Sequence, residues 1–353
     1  MKILVTGGGG FIGTHLVSKI SIDFPDADIF ILDNFLEQVH GRNSNRKVQG
    51  AKHVVVGDVC DKILIEDIIE DFQPTHVYHL AAETGTGISL SNINLYAKTN
   101  IMGTVNLIEA LSNKAKSLKK IILTSSRAVY GDGPWQSISN GRTYYPHGRT
   151  KEMLMDKIWD YPDMVPIGSD ANSTVPHPCS IYGATKLTQE HLISAWAISN
   201  SIEFYCFRLQ NVYGPGQSPI NSYTGITTHF INRALKKEPI EVFEDGKITR
   251  DFIYISDVIK VLMLPLLSKS NGVVDVGTGH RVTIHELATI INRICQGREI
   301  EISGNYRLGD VRFAGLSDDY NFEIISGVKP NKIENGIEQL VIWMQNQKQF
   351  QKL

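Results

Sequence analysis

Tyr182 and Lys186 stand four residues apart in the run Ser180-Ile-Tyr-Gly-Ala-Thr-Lys186. On a helix that spacing puts both side chains on one face, about 6 Å apart along the axis. An ammonium so placed lowers the pKa of the phenol, so the two read as a candidate acid/base pair. Exposed helix faces produce the same spacing by chance, and the pair takes its meaning from its surroundings.

The first of these surroundings is the run Thr6-Gly-Gly-Gly-Gly-Phe-Ile-Gly13, which places Gly7, Gly10 and Gly13 after an apolar run and ahead of an amphipathic one. Glycines at these positions allow a tight turn, close approach of a pyrophosphate to the backbone, and close contact of helix and strand. The helix start adds unpaired N–H groups and the positive end of its dipole. Asp33 ends the next apolar run, about 20 residues after Gly13, where a carboxylate accepts from the adenine ribose and repels a 2′-phosphate. NAD is therefore expected over NADP, with Arg42 and Arg46 nearby as the counter-indication. Asp58 and Val59 follow the third apolar run and either bracket the adenine or form an ordinary strand-end turn.

Two further strand ends carry Leu80-Ala-Ala-Glu-Thr-Gly-Thr-Gly87 and Leu123-Thr-Ser-Ser-Arg-Ala-Val-Tyr-Gly131. Ligands of open α/β sheets bind beyond the carboxyl ends of strands. Small residues at Ala81 and Ala82 let a cofactor lie close, and Ser125 or Ser126 presents a hydroxyl toward substrate; either serine could instead cap a helix.

The elements that must position these groups follow from hydrophobic patterning. Continuous apolar runs end near Thr6, Asp33, Gly57, Leu80 and Ser125, with helical segments between them. Strands buried on both faces and alternating with helices imply an α/β fold of Rossmann type, a doubly wound parallel sheet. The pattern predicts an NAD-binding domain over 1–211, joined by about 253–279, with an insert at about 131–178 that is rich in Gly, Pro, Asn, Tyr and charge. Within the insert only Lys151 to Trp159 reads as helical. A helix begins near Ile181, Glu203–Leu209 returns to the sheet, and Gly272–Gly277 is another sheet-like stretch. A smaller α/β substrate domain is expected from about 212–252 and 280–353.

Composition bounds the rest. The chain has 353 residues, of which 42% are hydrophobic and 20% charged, enough for two ordinary domains with a sizeable core. A net charge of −2 with no long basic run removes the basis for nucleic-acid or anionic-membrane binding. No apolar run is long enough to span a bilayer, and Met1-Lys-Ile-Leu-Val-Thr-Gly enters a strand pattern directly, so no signal peptide is expected. Cys60, Cys179, Cys206 and Cys295 show no metal-type or redox-type spacing. They read as reduced thiols of a cytoplasmic protein, most of them buried, and no metal is expected.

Taken in order, the glycine turn, Asp33, Asp58, Ala81-Ala82, Ser125-Ser126, Tyr182 to Lys186 and Arg208-Leu-Gln-Asn-Val-Tyr-Gly-Pro215 resemble an extended short-chain dehydrogenase/reductase over nearly the whole chain. Within that family they are most similar to nucleotide-sugar 4-epimerases. Thr124 to Gly133 and Asn211 to Gln217 look most like the branch that acts on dTDP-L-rhamnose, and UDP-galactose 4-epimerases are a more distant match. The resemblance implies NAD as cofactor, held by Gly7, Gly10, Phe11, Ile12, Gly13, Asp33, Asn34, Asp58, Val59, Leu80, Ala81, Ala82, Asn100, Tyr182 and Lys186. It implies Tyr182 as acid/base, Lys186 as ribose ligand and Ser126 as the hydroxyl near the reacting oxygen. For a nucleoside-diphosphate sugar it implies Thr84, Ser126, Arg127, Asn211, Arg250, Arg307 and Asp310, arginine suiting a diphosphate by its planar fork of donors.

It further implies a homodimer built on the helices after Asn100 and after Tyr182. Their apolar residues (Val105, Leu107, Ile108, Leu111; Leu187, Leu192, Ile193, Trp196) could equally face the subunit's own core. Two departures stand out. The segment between Ser126 and Tyr182 is longer than in UDP-galactose 4-epimerases, and similar segments often carry Cys pairs, whereas this one holds only Cys179. The family's 4,6-dehydratases follow the catalytic hydroxyl residue with Asp-Glu, where this chain has Arg127-Ala128. C4 epimerisation through a transient 4-keto sugar is the expected activity. A dehydrogenase or reductase of the same fold, a dehydratase, another epimerase, and a non-catalytic binding protein are the competing readings.

Overall fold

All five apolar runs of the first part of the chain form strands: β1 (Lys2–Thr6), β2 (Asp28–Asp33), β3 (His53–Val56), β4 (His76–His79) and β5 (Lys120–Ser126). The computed structural model describes residues 1–37, 47–218, 225–269 and 271–347; Arg42 and Arg46 lie outside the described residues. With β9 (Glu203–Leu209) and β13 (Gly272–Val276) these strands make a seven-stranded sheet in the order β13-β9-β5-β4-β1-β2-β3. β1 pairs parallel with β2 and β4, β2 with β3, and β4 with β5. Every residue of β4 is buried, and so are all but the last of β5, as expected of strands covered on both faces.

The crossovers are helical. α1 (Phe11–Asp23) turns Gly13, Leu16, Val17 and Ile20 inward, the spacing of one helix face. α2 (Lys62–Phe72) starts at Asp61, whose side chain accepts from Leu64 N–H at 3.1 Å, and ends in left-handed Gln73. α3 (Gly103–Lys114) and α4 (Ile181–Ser199) contribute Leu107, Leu111 and Ile193 to a core shared with Leu4, Val77, Ile121, Leu123, Ile65 and Cys206.

Register then decides where loops fall. Thr6 lies opposite Leu32 and His79, Asp33 opposite Val56, and His79 opposite Leu123. The carboxyl ends of β1 to β5 therefore share one edge. Strand order reverses between β1 and β4, which opens a crevice between the loops that leave them.

Contacts divide the chain into two compact units, 1–126 with 181–208 and 259–274, and 127–180 with 209–258 and 275–353. The segment expected as an insert of the first domain thus groups with the second unit. Its own sheet, β6 (Trp135–Ser137) between β7 (Thr143–Tyr144) and β8 (Met164–Pro166), is antiparallel. Long-range bonds weld it there: Arg149 meets Glu244 at 2.7 Å, Glu244 meets Arg312 at 3.0 Å, Asp132 accepts from Arg312 N–H at 2.6 Å, and Ser169 N–H donates to Gly315 at 2.9 Å. Charges far apart in sequence made this grouping invisible to local patterning. The helical stretch expected over Lys151 to Trp159 is shorter, Lys151–Met155.

The rest of the second unit comprises β10 (Asn211–Tyr213), β12 (Thr249–Tyr254) and β14 (Arg281–Thr283) in one sheet, and β11 (Ile240–Val242) with β15 (Ile300–Ile302) in another. α5 (Ile226–Leu235), α7 (Ile284–Cys295) and α8 (Ile333–Asn346) pack Phe230, Ile231, Leu287, Ile291, Ile337 and Leu340 into its core. α6 (Ile255–Leu267) runs from this unit into the first. Cys206 and Cys295 are buried, while Cys60 and Cys179 are only half-buried, so burial covers two of the four thiols instead of most. Both half-buried thiols end loops or turns near polar backbone, where side-chain exposure is not set by local hydrophobicity.

Candidate active site

The glycine turn sits at the crevice between β1 and β4. Gly7 has φ +71°, and a Cβ there would lie 2.6 Å from Ala81 N; a Cβ on Gly13 would lie 2.5 Å from Gly7 O. The first contact shows how closely the β1 loop crosses the Leu80-Ala81 loop, and the second how tightly α1 starts against the turn. Gly10 caps α1 with no side-chain hydrogen bond, so the first-turn N–H groups, including those of Phe11 and Ile12, remain for an anionic ligand or solvent. Asp33 is buried; it accepts from Gly9 N–H and from Phe35 N–H, each at 2.8 Å. These bonds brace the glycine turn and aim the carboxylate along it. A backbone cradle at a helix start with a fixed carboxylate beyond it suits a dinucleotide such as NAD.

Asp58 accepts from Cys60 N–H at 2.8 Å, and Asn34 reaches it at 3.4 Å. Burial works against its charge, but these bonds hold the carboxyl below its usual range. Val59 is buried and packs beside Gly103 at the start of α3. Asp58 thus lies at the ligand edge of the sheet, whereas Val59 is part of the core.

α4 carries the pair. Tyr182 is half-buried at its second position, edge-on to Tyr96 with ring centroids 6.3 Å apart. Lys186, one turn on, is 2% exposed, and its ammonium donates to Thr124 O at 2.9 Å. Desolvation lowers the Lys186 pKa to about 7, with Glu190 and Cys206 pulling the other way. Thr124 and Ser126 lie at the end of β5, so the bond from Lys186 fastens α4 to the strand that ends in Ser126.

A π-helical turn over Ala97–Met102 leads into α3, a distortion that proteins tolerate mainly where it re-aims side chains. Asn100 within this turn and Tyr96 just before it both bond to the 83–85 loop. Asn100 accepts from Glu83 N–H at 2.8 Å and donates to Glu83 O at 3.1 Å and to Thr185 Oγ1 at 2.9 Å. Tyr96 donates to Thr84 O at 2.5 Å and Gly85 O at 2.9 Å. Asn100, expected among cofactor ligands, spends its amide on tying the Glu83 loop to α4. Thr84 enters this geometry through its carbonyl.

The second unit holds the remaining expected residues. Arg127 Nε donates to Asn211 Oδ1 at 2.9 Å, so these two act as one polar unit. Arg250 is buried, and its two terminal nitrogens donate to Thr249 O and Val311 O, each at 2.8 Å. Arg307 is exposed, and its guanidinium lies over the Phe243 ring at 4.9 Å. Asp310 closes the turn from Arg307 at 3.3 Å, and its carbonyl accepts from Arg149 at 2.9 Å.

Sequence reasoning passed over Glu190, Arg208, His79, Gln189 and Tyr96. Arg208 makes a forked pair with Glu190, closest approach 2.7 Å, with both side chains at most 5% exposed. Ser125 donates to the same Glu190. Removing one partner of such a pair costs roughly 3–5 kcal/mol, because a lone charge stays buried. The signal was present: Glu190 repeats the spacing of Tyr182 and Lys186, and Arg208 interrupts an otherwise apolar strand.

A dinucleotide cradle at the switch point of a doubly wound sheet, with Ser126 at a strand end and Tyr182 and Lys186 on one helix, defines the class of extended short-chain dehydrogenase/reductases. The chain belongs to the NAD dependent epimerase/dehydratase family, whose model matches residues 3–277. It is 40% identical over 348 residues to the dTDP-L-rhamnose 4-epimerase of Burkholderia thailandensis, covering 97% of this chain and 94% of that one. The UDP-glucose 4-epimerase of Thermus thermophilus, solved in complex with NAD, superposes with a TM-score of 0.76 at 27% identity, covering 98% of this chain and 99% of that one. The Thermotoga maritima UDP-glucose 4-epimerase with UDP-glucose is equally similar, at 0.76 and 27% over the same shares.

Proposed function

We propose that this protein is an NAD-dependent C4 epimerase of a nucleoside-diphosphate sugar, with dTDP-L-rhamnose the first substrate to test. The single observation that carries the reading is the set of Ser126, Tyr182 and Lys186 on elements locked together by the Lys186 to Thr124 bond, in a chain so similar to a rhamnose 4-epimerase.

Tyr182 takes the proton of the C4 hydroxyl. NAD, when bound, would supply a reversible hydride acceptor at C4, so that turnover would involve no net oxidation. The 4-keto sugar turns its opposite face, and Tyr182 gives the proton back to the C4 oxygen. Ser126 donates to that oxygen while it carries negative charge. Lys186 would hold the ribose of bound NAD, and its charge favours the phenolate. Thr84, Arg127, Asn211, Arg307, Arg250 and Asp310 are the substrate-side groups of this reading, and the guanidinium of Arg307 has the planar set of donors that suits a diphosphate.

Dehydration is disfavoured. It needs an acid and a base beside the catalytic hydroxyl, whereas Arg127 is engaged with Asn211 and Ala128 is buried. A reductase would change absorbance at 340 nm in step with turnover. The deciding experiment follows C4 inversion by NMR across UDP, dTDP, GDP and CDP sugars; release of a keto product with stoichiometric loss of NAD would sink the epimerase reading.

A homodimer belongs to the same proposal. Leu107, Leu111 and Ile193 fill the subunit's own core, but Ile108, Leu192, Ala195 and Trp196 line an open groove of about 590 Å³ on α3 and α4. No helix among the described residues is long and apolar enough to cross a membrane. Four free cysteines suit a reducing compartment, and the reading places the enzyme in the cytoplasm.

A further inference from the structure

We propose that Glu190, clamped by Arg208, is a positioning residue of the reaction: it holds the Ser125-Ser126 end of β5 against α4 and supplies the counter-charge for Lys186. This rests on the functional reading above. Glu190 follows Tyr182 and Lys186 at the same four-residue step, so all three share one face of α4. Its carboxylate is 2% exposed and accepts from Arg208 Nε at 3.1 and 3.2 Å, from Arg208 Nη2 at 2.7 Å, and from Ser125 Oγ. One buried group therefore joins α4, β5 and β9.

The bond to Ser125 lies immediately before Ser126, and the carboxylate lies one turn beyond Lys186. A carboxylate in a dry interior acts strongly on a neighbouring ammonium. Lys186 is faced by Glu190 and, one turn earlier, Tyr182 on its own helix, by the Cys206 thiol from β9 with Arg208 behind Glu190, by His79 from β4, and by the Thr124 carbonyl from β5. Burial keeps the Cys206 thiol far above its usual range and His79 far below, so both are neutral. Glu190 is thus the neighbouring anion that opposes the desolvation of the Lys186 ammonium.

The test is a titration of Lys186 in the NAD-loaded protein by NMR of 13Cε-labelled lysine, its signal assigned by loss in Lys186→Met. Glu190→Gln keeps the shape and removes the charge; its Lys186 midpoint should fall by about one pH unit. Glu190→Asp restores the charge and should return the midpoint to the wild-type value while kcat stays low, because the shorter arm does not reach Ser125. If the Gln variant cannot bury Arg208 alone, Glu190→Gln with Arg208→Met removes both charges and should still titrate below wild type. An unmoved midpoint overturns the counter-charge. Ser125→Ala should lower kcat about tenfold with KM and midpoint unchanged; wild-type kcat overturns the strand-end role. Absence of C4 inversion in the wild-type protein would count against the epimerase reading and leave the titration result standing.

Discussion

At the scale of single residues, the proposed reaction turns on whether the Tyr182 phenol and the Lys186 ammonium hold the right protons near neutrality. Tyr182→Phe removes the acid/base and should lower kcat by about 10²–10⁴ while NAD still binds, as measured by single-turnover kinetics and NAD titration. Full turnover in that variant would reduce Tyr182 to a bystander. His79 offers a stability test. Its ring is fully buried between Thr6 Oγ1 at 2.7 Å and Thr104 Oγ1 at 2.9 Å, and desolvation, with the Lys186 charge, lowers its pKa to about 3. The folded state keeps His79 neutral where the unfolded chain protonates it, near 6.5. Its contribution is therefore present above about pH 6.5 and lost as pH falls toward 3. Urea unfolding of His79→Gln should show a shallower loss over that interval than wild type.

At the scale of elements, α4 is the platform: Thr185 reaches Asn100, Lys186 reaches Thr124, Gln189 reaches Thr104 at 2.7 Å, and Glu190 reaches Ser125 and Arg208. Tyr182 and Lys186 were legible from spacing, since a helix repeats by geometry alone. Their supports were not, because Asn100, Thr124 and Arg208 come from distant stretches and meet only when strands align. The grouping of 127–180 with the second unit was not legible for the same reason, as its ties are to Glu244, Arg312 and Gly315. Elsewhere local rules sufficed. α7 begins with a capping box, Thr283 Oγ1 accepting from Glu286 N–H at 3.1 Å and Glu286 accepting from Thr283 N–H at 2.8 Å. Thr283→Ala should cost about 1 kcal/mol in chemical denaturation and leave kcat unchanged.

At the scale of the whole molecule, the groove on α3 and α4 gives the proposed dimer its test. Trp196 is partly buried and donates to Ser112 at 2.6 Å; Trp196→Glu places a charge in the groove and should halve the mass seen by light scattering, whereas an unchanged mass would put the dimer elsewhere or nowhere. NAD should raise the unfolding temperature of the wild-type protein with concentration, as any ligand of the folded state does, and Gly13→Ala should abolish that rise, because its Cβ would strike Gly7 O. The sequence by itself determined the alternation of strands and helices, the glycine turn, Asp33, and the helical spacing of Tyr182 and Lys186. Each depends on neighbours in the chain and on the periods of about 2 and 3.6 residues. Only the tertiary structure decided that Asn100 ties the Glu83 loop to α4, that Val59 is buried, that the segment after Ser126 groups with the second unit, and that the Glu190–Arg208 pair lies one turn beyond Lys186. Those depend on strand register and on the pairing of buried charges, which no local pattern encodes.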